Sequence, residues 1–403
     1  MEKDILGQKC ALYLKTLCEK IPERCVGSEG NRQETEFFEK ELSSLGWHIE
    51  MSELDVIDWE EGGATLQVAD RSFKVLVSPY SLGCSVQAPL IAVSCLTELE
   101  RREITGKILL LHGDIAKEQL MPKYFIFYNP EEHQKTIALL EQKQPAAIVA
   151  ATSRNGALAG GVYPFPLLED GDFNIPSVFM TEEEGKKLLS CVGQVVMLQS
   201  RSTRIPAKTD NVVARKGKNL NEKIVITAHI DAKKNSPGAI DNATGVAILL
   251  ILAGLLKDYE GERVLEMVAF NGEDYYAVPG QMDYIRKNQE HFNHIVLNIN
   301  IDGAGYKEGN SIFSFFDVPD AVRAKAYEVL ARFDGITEGI QWPQGDHSIF
   351  VQLGCPAIAV SSQWLIEHID SQEITHTPKD NSDIVDCRKV IEIAEALNWF
   401  LRK

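Results

Sequence analysis

Residues 224–245, IVITAHIDAKKNSPGAIDNATG, decide the fold of this chain. An apolar run stops at His229 and Asp231, a loop of Lys, Asn, Ser, Pro and Gly follows, and Asp241 then heads a long apolar helix. A strand, a loop and a helix in this order form the repeating unit of α/β proteins. Because such sheets bind ligands at the carboxyl ends of their strands, we expect these polar side chains to face a ligand crevice.

The same pattern repeats toward the end of the chain. The predicted strands are IVITAH, RVLEMVAF, HIVLNINID, SIFSF and AIAVSS, and the helices between and after them are predicted at 243–258, 279–289, 318–333, 346–353 and 387–401. Two further helices are predicted near the beginning, at 4–20 and 31–45, from their apolar periodicity. This alternation predicts an α/β fold with a mixed, mostly parallel sheet that carries helices on both faces.

The middle of the chain has a different character. Short β-like runs, among them FKVLVS, PLIAVS and GKILLLHG, surround one or two helices and a Gly-rich loop at 155–161. A chain of 403 residues also exceeds the usual size of one compact domain. We therefore predict an inserted β-rich α/β domain at 62–204, within a larger α/β domain built from 1–61 and 205–403.

Composition and charge restrict the class of protein. The formal net charge of −17 argues against a nucleic-acid or anionic-membrane partner. The first twenty residues carry charges where an export signal has an apolar core, and no run approaches the roughly 18 apolar residues of a membrane span. The eight cysteines show no paired spacing. We expect a cytoplasmic protein with free thiols and no nucleic-acid or membrane partner, whose oligomeric state the sequence leaves open.

Acidic and histidine residues follow or border the predicted strands. The set comprises His229, Asp241, Glu273, Asp274, Asp302 and His376, with Asp231 beside the first of them. Each residue alone has an ordinary interpretation, such as a helix N-cap for Asp241 or a turn for Asp302. Two histidines and four carboxylates at one edge of a sheet instead favour a common site.

Imidazole and carboxylate side chains without a thiolate suit catalytic zinc. Four neighbouring carboxylates would repel one another unless cations neutralised them. Two ions about 3.5–4 Å apart can share one carboxylate and one water, whose lowered pKa gives a hydroxide nucleophile at neutral pH. One carboxylate must remain off the metals to transfer the proton, and Glu273 and Asp274 can divide these roles. Asp231 can hold the His229 imidazole in one tautomer.

The order of these motifs resembles the co-catalytic zinc exopeptidase family. The shared elements are H-x-D, Gly-Ala-x-Asp-Asn-x-x-Gly, an acidic pair, N-x-D and a late H-T-P. That family includes bacterial leucyl aminopeptidases, glutamate carboxypeptidase II and glutaminyl cyclases. The resemblance covers residues 1 to about 60 and 205–403, and the middle block resembles the protease-associated domain that many members carry.

The resemblance implies a role for each candidate residue. His229 and Asp302 would hold one zinc ion, Asp274 and His376 would hold a second, and Asp241 would bridge the two. Glu273 would be the general base and acid. A cis peptide bond would join Asp241 to Asn242.

Two positions depart from the family pattern. Asp274 stands where the family usually has Glu, and Thr375 stands where some relatives have Tyr before the late histidine. His347, in the segment that corresponds to the family's S-D-H, is interpreted as a structural or pocket residue rather than a ligand.

These features predict a zinc-dependent metallopeptidase. The expected activity is removal of N-terminal residues from peptides or aminoacyl amides, since an acidic pocket favours a free α-ammonium group. Three alternatives remain open at this point: a one-metal enzyme similar to glutaminyl cyclases, an amidohydrolase that acts on non-peptide amides, and a non-catalytic binding protein on this fold.

Overall fold

The computed structural model describes residues 2–21, 23–125, 128–154, 162–369 and 373–403. The predicted Gly-rich loop at 155–161 lies outside the described residues. The chain divides into two compact units. Unit 1 comprises Met1–Val56, Lys208–Ile369 and Ile374–Lys403, and unit 2 comprises Ile57–Ala207 and Asp370–Glu373.

Two long strands, β1 (His48–Val68) and β8 (Val195–Lys216), carry the chain from one unit into the other. The boundaries predicted from composition, 61/62 and 204/205, fall inside these strands, whereas the structure divides the chain at 56/57 and 207/208. A change of composition therefore does not coincide with the end of an element here.

Unit 1 contains most of the predicted α/β elements. Its other strands are β9 (Asn219–His229), β10 (Arg263–Phe270), β11 (Ile295–Ile301), β12 (Ser311–Phe316), β13 (Ile336–Glu338) and β14 (Ala357–Ser362). Its helices are α1 (Glu2–Lys15), α2 (Glu29–Ser44), α6 (Thr244–Leu255), α7 (Pro279–Asn288), α8 (Asp320–Leu330), α9 (His347–Gln352), α10 (Gln363–Glu367) and α11 (Cys387–Arg402), with π-helical turns at Thr16–Lys20 and Ala239–Ala243. The predicted strands and helices of this unit are confirmed.

The sheet of unit 1 has the order β13-β12-β14-β11-β9-β10-β8. Its four central strands, β14, β11, β9 and β10, run parallel to one another, and β12 and β8 pair antiparallel with β14 and β10. The predicted mixed, mostly parallel sheet is therefore confirmed. Because β11, β9 and β10 are parallel and adjacent, the residues that follow them meet at one edge, and Phe270 lies directly beside His229.

The core of unit 1 forms around α6. Every residue from Thr244 to Ala253 in this helix is buried, as its wholly apolar sequence predicts. The helix contacts β9 as well as α1, α2 and α11. A helix that is buried on all sides gives the turn at its amino end a fixed support, and that turn contains Asp241.

Unit 2 has its own core and sheet. Its strands, besides parts of β1 and β8, are β2 (Arg71–Phe73), β3 (Leu76–Val77), β4 (Cys84–Val93), β5 (Ile108–Leu111), β6 (Ala147–Thr152) and β7 (Ser177–Thr181). Its helices are α3 (Leu96–Arg101), α4 (Glu131–Lys143) and α5 (Glu182–Leu189). Strands β4, β5, β6 and β7 form a parallel sheet, with β8 and β3 pairing antiparallel at its two sides.

All eight cysteines are free thiols. Among the described residues, the helices are too short or too polar to span a bilayer.

Candidate metal centre

The carboxyl ends of β11, β9 and β10 bring the candidate side chains together. His229 is the last residue of β9, and Asp302 directly follows β11. Glu273 and Asp274 lie in the loop after β10, and Asp241 lies in the turn before α6, where its own backbone is not helical. The apolar runs end where the chain leaves the sheet, so the polar residues that follow are displayed at its edge.

His376 reaches the same place from the segment between α10 and α11, with help from Asp380. The Asp380 carboxylate accepts hydrogen bonds from the backbone N–H groups of Ile240 (2.7 Å) and Asp241 (3.1 Å). The Asp380 carbonyl accepts a further one from the Ala239 N–H (3.1 Å). These bonds fix the Asp241 turn against the segment that carries His376.

The distances within this set show a shared carboxylate. Oδ1 of Asp241 lies 3.0 Å from Nε2 of His229, and its Oδ2 lies 3.1 Å from Nε2 of His376. On the first side, Oδ1 of Asp302 lies 3.6 Å from His229 Nε2. On the second side, Oδ1 of Asp274 lies 3.1 Å from His376 Nε2. Asp241 therefore offers one oxygen to each of two histidine–aspartate pairs.

The peptide bond between Asp241 and Asn242 is cis, as the resemblance implies. The buried Asn242 side chain donates to the carbonyl of Ile301 (2.8 Å) and accepts from the Gly245 N–H (3.1 Å). It thereby ties the turn that contains Asp241 to the end of β11, next to Asp302.

These side chains fit a divalent cation. Nε2 of His229 and Oδ2 of Asp274 are buried, and neither makes a well-aligned hydrogen bond to any described residue, even though His229 Nε2 approaches Asp241 to 3.0 Å. Candidate ligand atoms of His229, Asp241 and Asp274 all lie within 4.8 Å of one another. Nitrogen and oxygen ligands bound to zinc at their usual distances are about 3.4 Å apart in a tetrahedral arrangement. Buried nitrogen and oxygen atoms that lie this close together and lack well-aligned hydrogen bonds are therefore suited to coordinating a metal ion.

The electrostatic environment also favours positive charge. Burial alone would lower the pKa of His229, but the carboxylates of Asp231, Asp241 and Asp302 raise it well above its usual value. The pKa of His376 is also raised, because its two neighbouring aspartates outweigh the effect of burial. A cluster that stabilises added protons so strongly will also stabilise a metal cation.

Glu273 lies beside this cluster and is partly exposed. Desolvation raises its pKa well above its usual range; the charge of His229 opposes this shift, and the charges of Asp302 and Asp274 add to it. A partly exposed carboxyl group with a raised pKa, next to candidate ligands, suits proton transfer.

Asp231 makes more contacts than its predicted role requires. Its carboxylate accepts from the backbone N–H groups of Gly272 (2.9 Å), Glu273 (3.2 Å) and Asp274 (3.1 Å). Nδ1 of His229 lies 3.1 Å from the Asp231 carbonyl oxygen and 3.6 Å from the Asp231 carboxylate. Asp231 therefore holds the loop that carries the acidic pair and also adjoins the histidine.

Asp346 was not among the predicted site residues. This residue is buried, accepts a hydrogen bond from Gln281 Nε2 (2.8 Å), and burial raises its pKa to about 7. The preceding Gly345 has a φ of 94°, and a Cβ there would lie 2.9 Å from Oδ2 of Asp302. The segment was noticed in the sequence for His347, which instead places its Nε2 2.9 Å from the Trp342 carbonyl.

The second half of the chain matches a known protein family, and most of the chain is similar to a known aminopeptidase. The model of peptidase family M28 matches residues 211–400, which include every candidate ligand. The aminopeptidase YwaD of Bacillus subtilis is 22% identical over 387 residues, which cover 91% of this chain and 78% of that protein. The part of the chain that carries the candidate ligands, residues 211–400, belongs to peptidase family M28.

Other members and structures extend the comparison. A probable leucine aminopeptidase 2 of Aspergillus oryzae is 24% identical over 69% of this chain, but the match spans only 54% of that protein. Among solved structures, an aminopeptidase of Aneurinibacillus superposes with a TM-score of 0.76 at 20% identity, covering 98% of this chain and 93% of that one. A zinc aminopeptidase of Bacillus subtilis gives a TM-score of 0.75 at 17% identity, covering 98% and 94%. At these identities the structural similarity establishes the M28 fold.

Proposed function

We propose that this M28 member is an aminopeptidase with two zinc ions, which releases N-terminal residues from peptides and aminoacyl amides. The observation that carries the proposal is the orientation of Asp241, whose two oxygens face His229 and His376 separately. A carboxylate arranged in this way suits the bridge between two cations. The aminopeptidases among the relatives support the substrate class.

The proposed ligand sets use the pairs that lie together. His229 and Asp302 would hold one zinc, Asp274 and His376 the other, and Asp241 would bridge them. Zinc supplies Lewis acidity, which polarises an amide carbonyl and acidifies a water. The shorter side chain of Asp274 still approaches His376 Nε2 to 3.1 Å, so the replacement of the usual Glu preserves this pairing.

The chain's own residues would provide the proton transfer and the positioning. Glu273 takes a proton from the attacking water and delivers it to the leaving amine. The three backbone bonds to Asp231 keep Glu273 and Asp274 at a fixed spacing. The acidic surroundings attract the α-ammonium group of a substrate with a free N-terminus.

The decisive experiment compares leucyl p-nitroanilide with its N-acetylated form and measures zinc on the same purified chain. We expect two zinc ions per chain and hydrolysis of the free-amine substrate alone. Equal hydrolysis of both substrates would indicate an amidohydrolase of another class. One zinc with cyclisation of an N-terminal glutamine would indicate a cyclase, and a chain without zinc or turnover would indicate a binding protein.

A pair of variants tests the bridge itself. Asp241→Asn removes the shared charge, so we expect the loss of both zinc ions. Asp283→Asn is the matched control, because Asp283 is a buried carboxylate of the same unit that pairs with Arg286 (2.5 Å) and Lys287 (3.2 Å) instead. Its zinc content should equal that of the unaltered protein.

We also propose that unit 2 is a protease-associated domain and that the protein acts in the cytoplasm. The parallel strands β4 to β7 support the first proposal, and the eight free thiols support the second. An experimental structure of unit 2, compared with protease-associated domains, tests the former. Cell fractionation tests the latter.

A further inference from the structure

Arg24 binds the metal-ligand loop from outside the sheet. It lies before α2, is only 2% exposed, and donates to the carbonyls of Ile230 (2.9 Å), Pro237 (2.9 Å) and Gly238 (2.7 Å). All three carbonyls lie between the candidate ligands at 229 and 241. An arginine is suited to this task because its guanidinium presents five N–H donors in a fixed plane.

These carbonyls are placed where they affect both ligands. Ile230 directly follows His229, so its position governs where the strand ends. The carbonyl of Gly238 also accepts the N–H of Ala243 (2.9 Å), which closes the turn around Asp241. Arg24 in addition accepts the Ala232 N–H at its own carbonyl (3.2 Å). One residue therefore joins the two ends of the loop.

Asn31 makes the equivalent connection to the second loop. Its Nδ2 donates to Oδ1 of Asn271 (2.9 Å), and Nδ2 of Asn271 donates back to its Oδ1 (3.2 Å). Asn271 immediately precedes the Gly272–Asp274 segment that Asp231 holds. Both asparagines are fully buried, so solvent cannot replace this pair of bonds.

Glu34 links the two connections. Its carboxylate accepts from Arg24 Nη1 (3.1 Å) and from Asn31 Nδ2 (3.0 Å), and it is fully buried. We call Arg24, Asn31 and Glu34 the amino-terminal bracket. A buried ion pair is a weak source of stability in itself, because desolvation of both charges offsets their attraction. The presence of these three buried residues is therefore better explained by the two loops that they contact than by the stability of the ion pair.

We propose that the amino-terminal bracket is a positioning device for the metal centre, which sets the spacing between the loop of His229 and Asp241 and the loop of Glu273 and Asp274. This inference rests on the proposed metal site. The bracket lies outside residues 211–400, the part that the family model matches. Its connections join residues more than 200 positions apart in the chain.

The test uses cobalt(II), whose visible absorption spectrum depends on ligand geometry, together with zinc affinity and kcat and KM. Arg24→Lys keeps the charge but cannot reach three carbonyls at once. We expect an altered cobalt spectrum, a 10- to 100-fold loss of zinc affinity, and a fall in kcat with little change in KM. Arg215→Lys is the matched control, because Arg215 pairs with Glu50 and Glu266. It should leave the spectrum and the zinc affinity unchanged.

The outcomes separate the two proposals. An Arg24→Lys protein with an unchanged spectrum and zinc affinity would overturn the positioning role, and so would a control that shifts both equally. If Arg24→Lys does not fold, Asn31→Ala applies the same test through the second loop. Unaltered protein that binds neither cobalt nor zinc would instead overturn the proposed function, and the inference with it.

Discussion

Two buried clusters of charge in unit 1 differ in how their charges are balanced. In the Glu266 cluster (Glu266, Arg215, Lys223 and Tyr284), one carboxylate oxygen accepts from the Tyr284 hydroxyl (2.5 Å) and the other from Arg215 Nε (2.5 Å). Lys223 Nζ lies 3.7 Å from the same carboxylate. In the metal-ligand cluster (His229, Asp241, Asp274, Asp302 and His376), three carboxylates instead face two imidazoles.

The two clusters differ in how completely their buried polar atoms are paired. Both oxygens of Glu266 are paired, and such pairing makes the cluster a structural element. Asp274 Oδ2 and His229 Nε2 make no well-aligned hydrogen bond to any described residue, and an unpaired buried polar atom costs folding free energy. Coordination of a cation by these two atoms would offset this cost.

The largest expected effect is on turnover, from Glu273→Gln. The amide keeps the shape of the side chain but cannot accept the proton, so we expect kcat on leucyl p-nitroanilide to fall about 10²- to 10⁴-fold. Zinc content and the circular dichroism spectrum should match those of the unaltered protein. A variant that keeps more than a tenth of the turnover would show that Glu273 is not the proton carrier.

The sequence analysis could select His229, Asp274 and Asp302 as candidate ligands because they follow apolar strands, and parallel strands end at a common edge. Asp241 and His376 lie in the turn before α6 and in the segment before α11, and the structure brings them to the same edge. The sequence could not predict Arg24, whose partners are backbone carbonyls more than 200 residues away and leave no local pattern. Asp380, four residues after His376, was not among the predicted site residues, since its partners are backbone N–H groups of the distant turn. The pattern of side-chain types in a sequence cannot predict which side chains will form hydrogen bonds with distant backbone groups.

A substitution in the Glu266 cluster should have the opposite effect to Glu273→Gln, because it should lower the stability of the protein and leave turnover unchanged. Glu266→Gln removes the buried carboxylate that Arg215 and Lys223 share, and Arg215 keeps only Glu50, so we expect a loss of about 3 kcal/mol in the free energy of unfolding. Urea denaturation measures this loss. Zinc content and kcat should be unchanged, and a variant that lost zinc or turnover would erase the distinction between the two clusters.

His347 is a buried histidine that forms no ion pair with an acidic side chain among the described residues. Its ring lies 4.6 Å from those of Phe316 and Trp342, and burial lowers its pKa to about 4. In the metal-ligand cluster the neighbouring carboxylates raise the pKa of His229 instead. The two histidines are therefore expected to respond in opposite directions to acid.

The smallest predicted effect follows from the sign of this shift. The unfolded chain has an ordinary histidine pKa near 6.5, so between about pH 6.5 and 4 it binds a proton that the folded protein does not. Stability that His347 contributes above pH 6.5 is therefore lost as the pH falls toward 4. From pH 7 to pH 5 the loss amounts to about 2 kcal/mol.

His347→Gln isolates this contribution, because glutamine can still donate to the Trp342 carbonyl but does not titrate. The free energy of unfolding in urea is measured at pH 7 and pH 5 for both proteins, since other groups also titrate over this range. We expect the unaltered protein to lose about 2 kcal/mol more than the variant. Equal losses would mean that His347 takes up a proton within the folded protein, and burial would then not separate it from the histidines of the metal-ligand cluster.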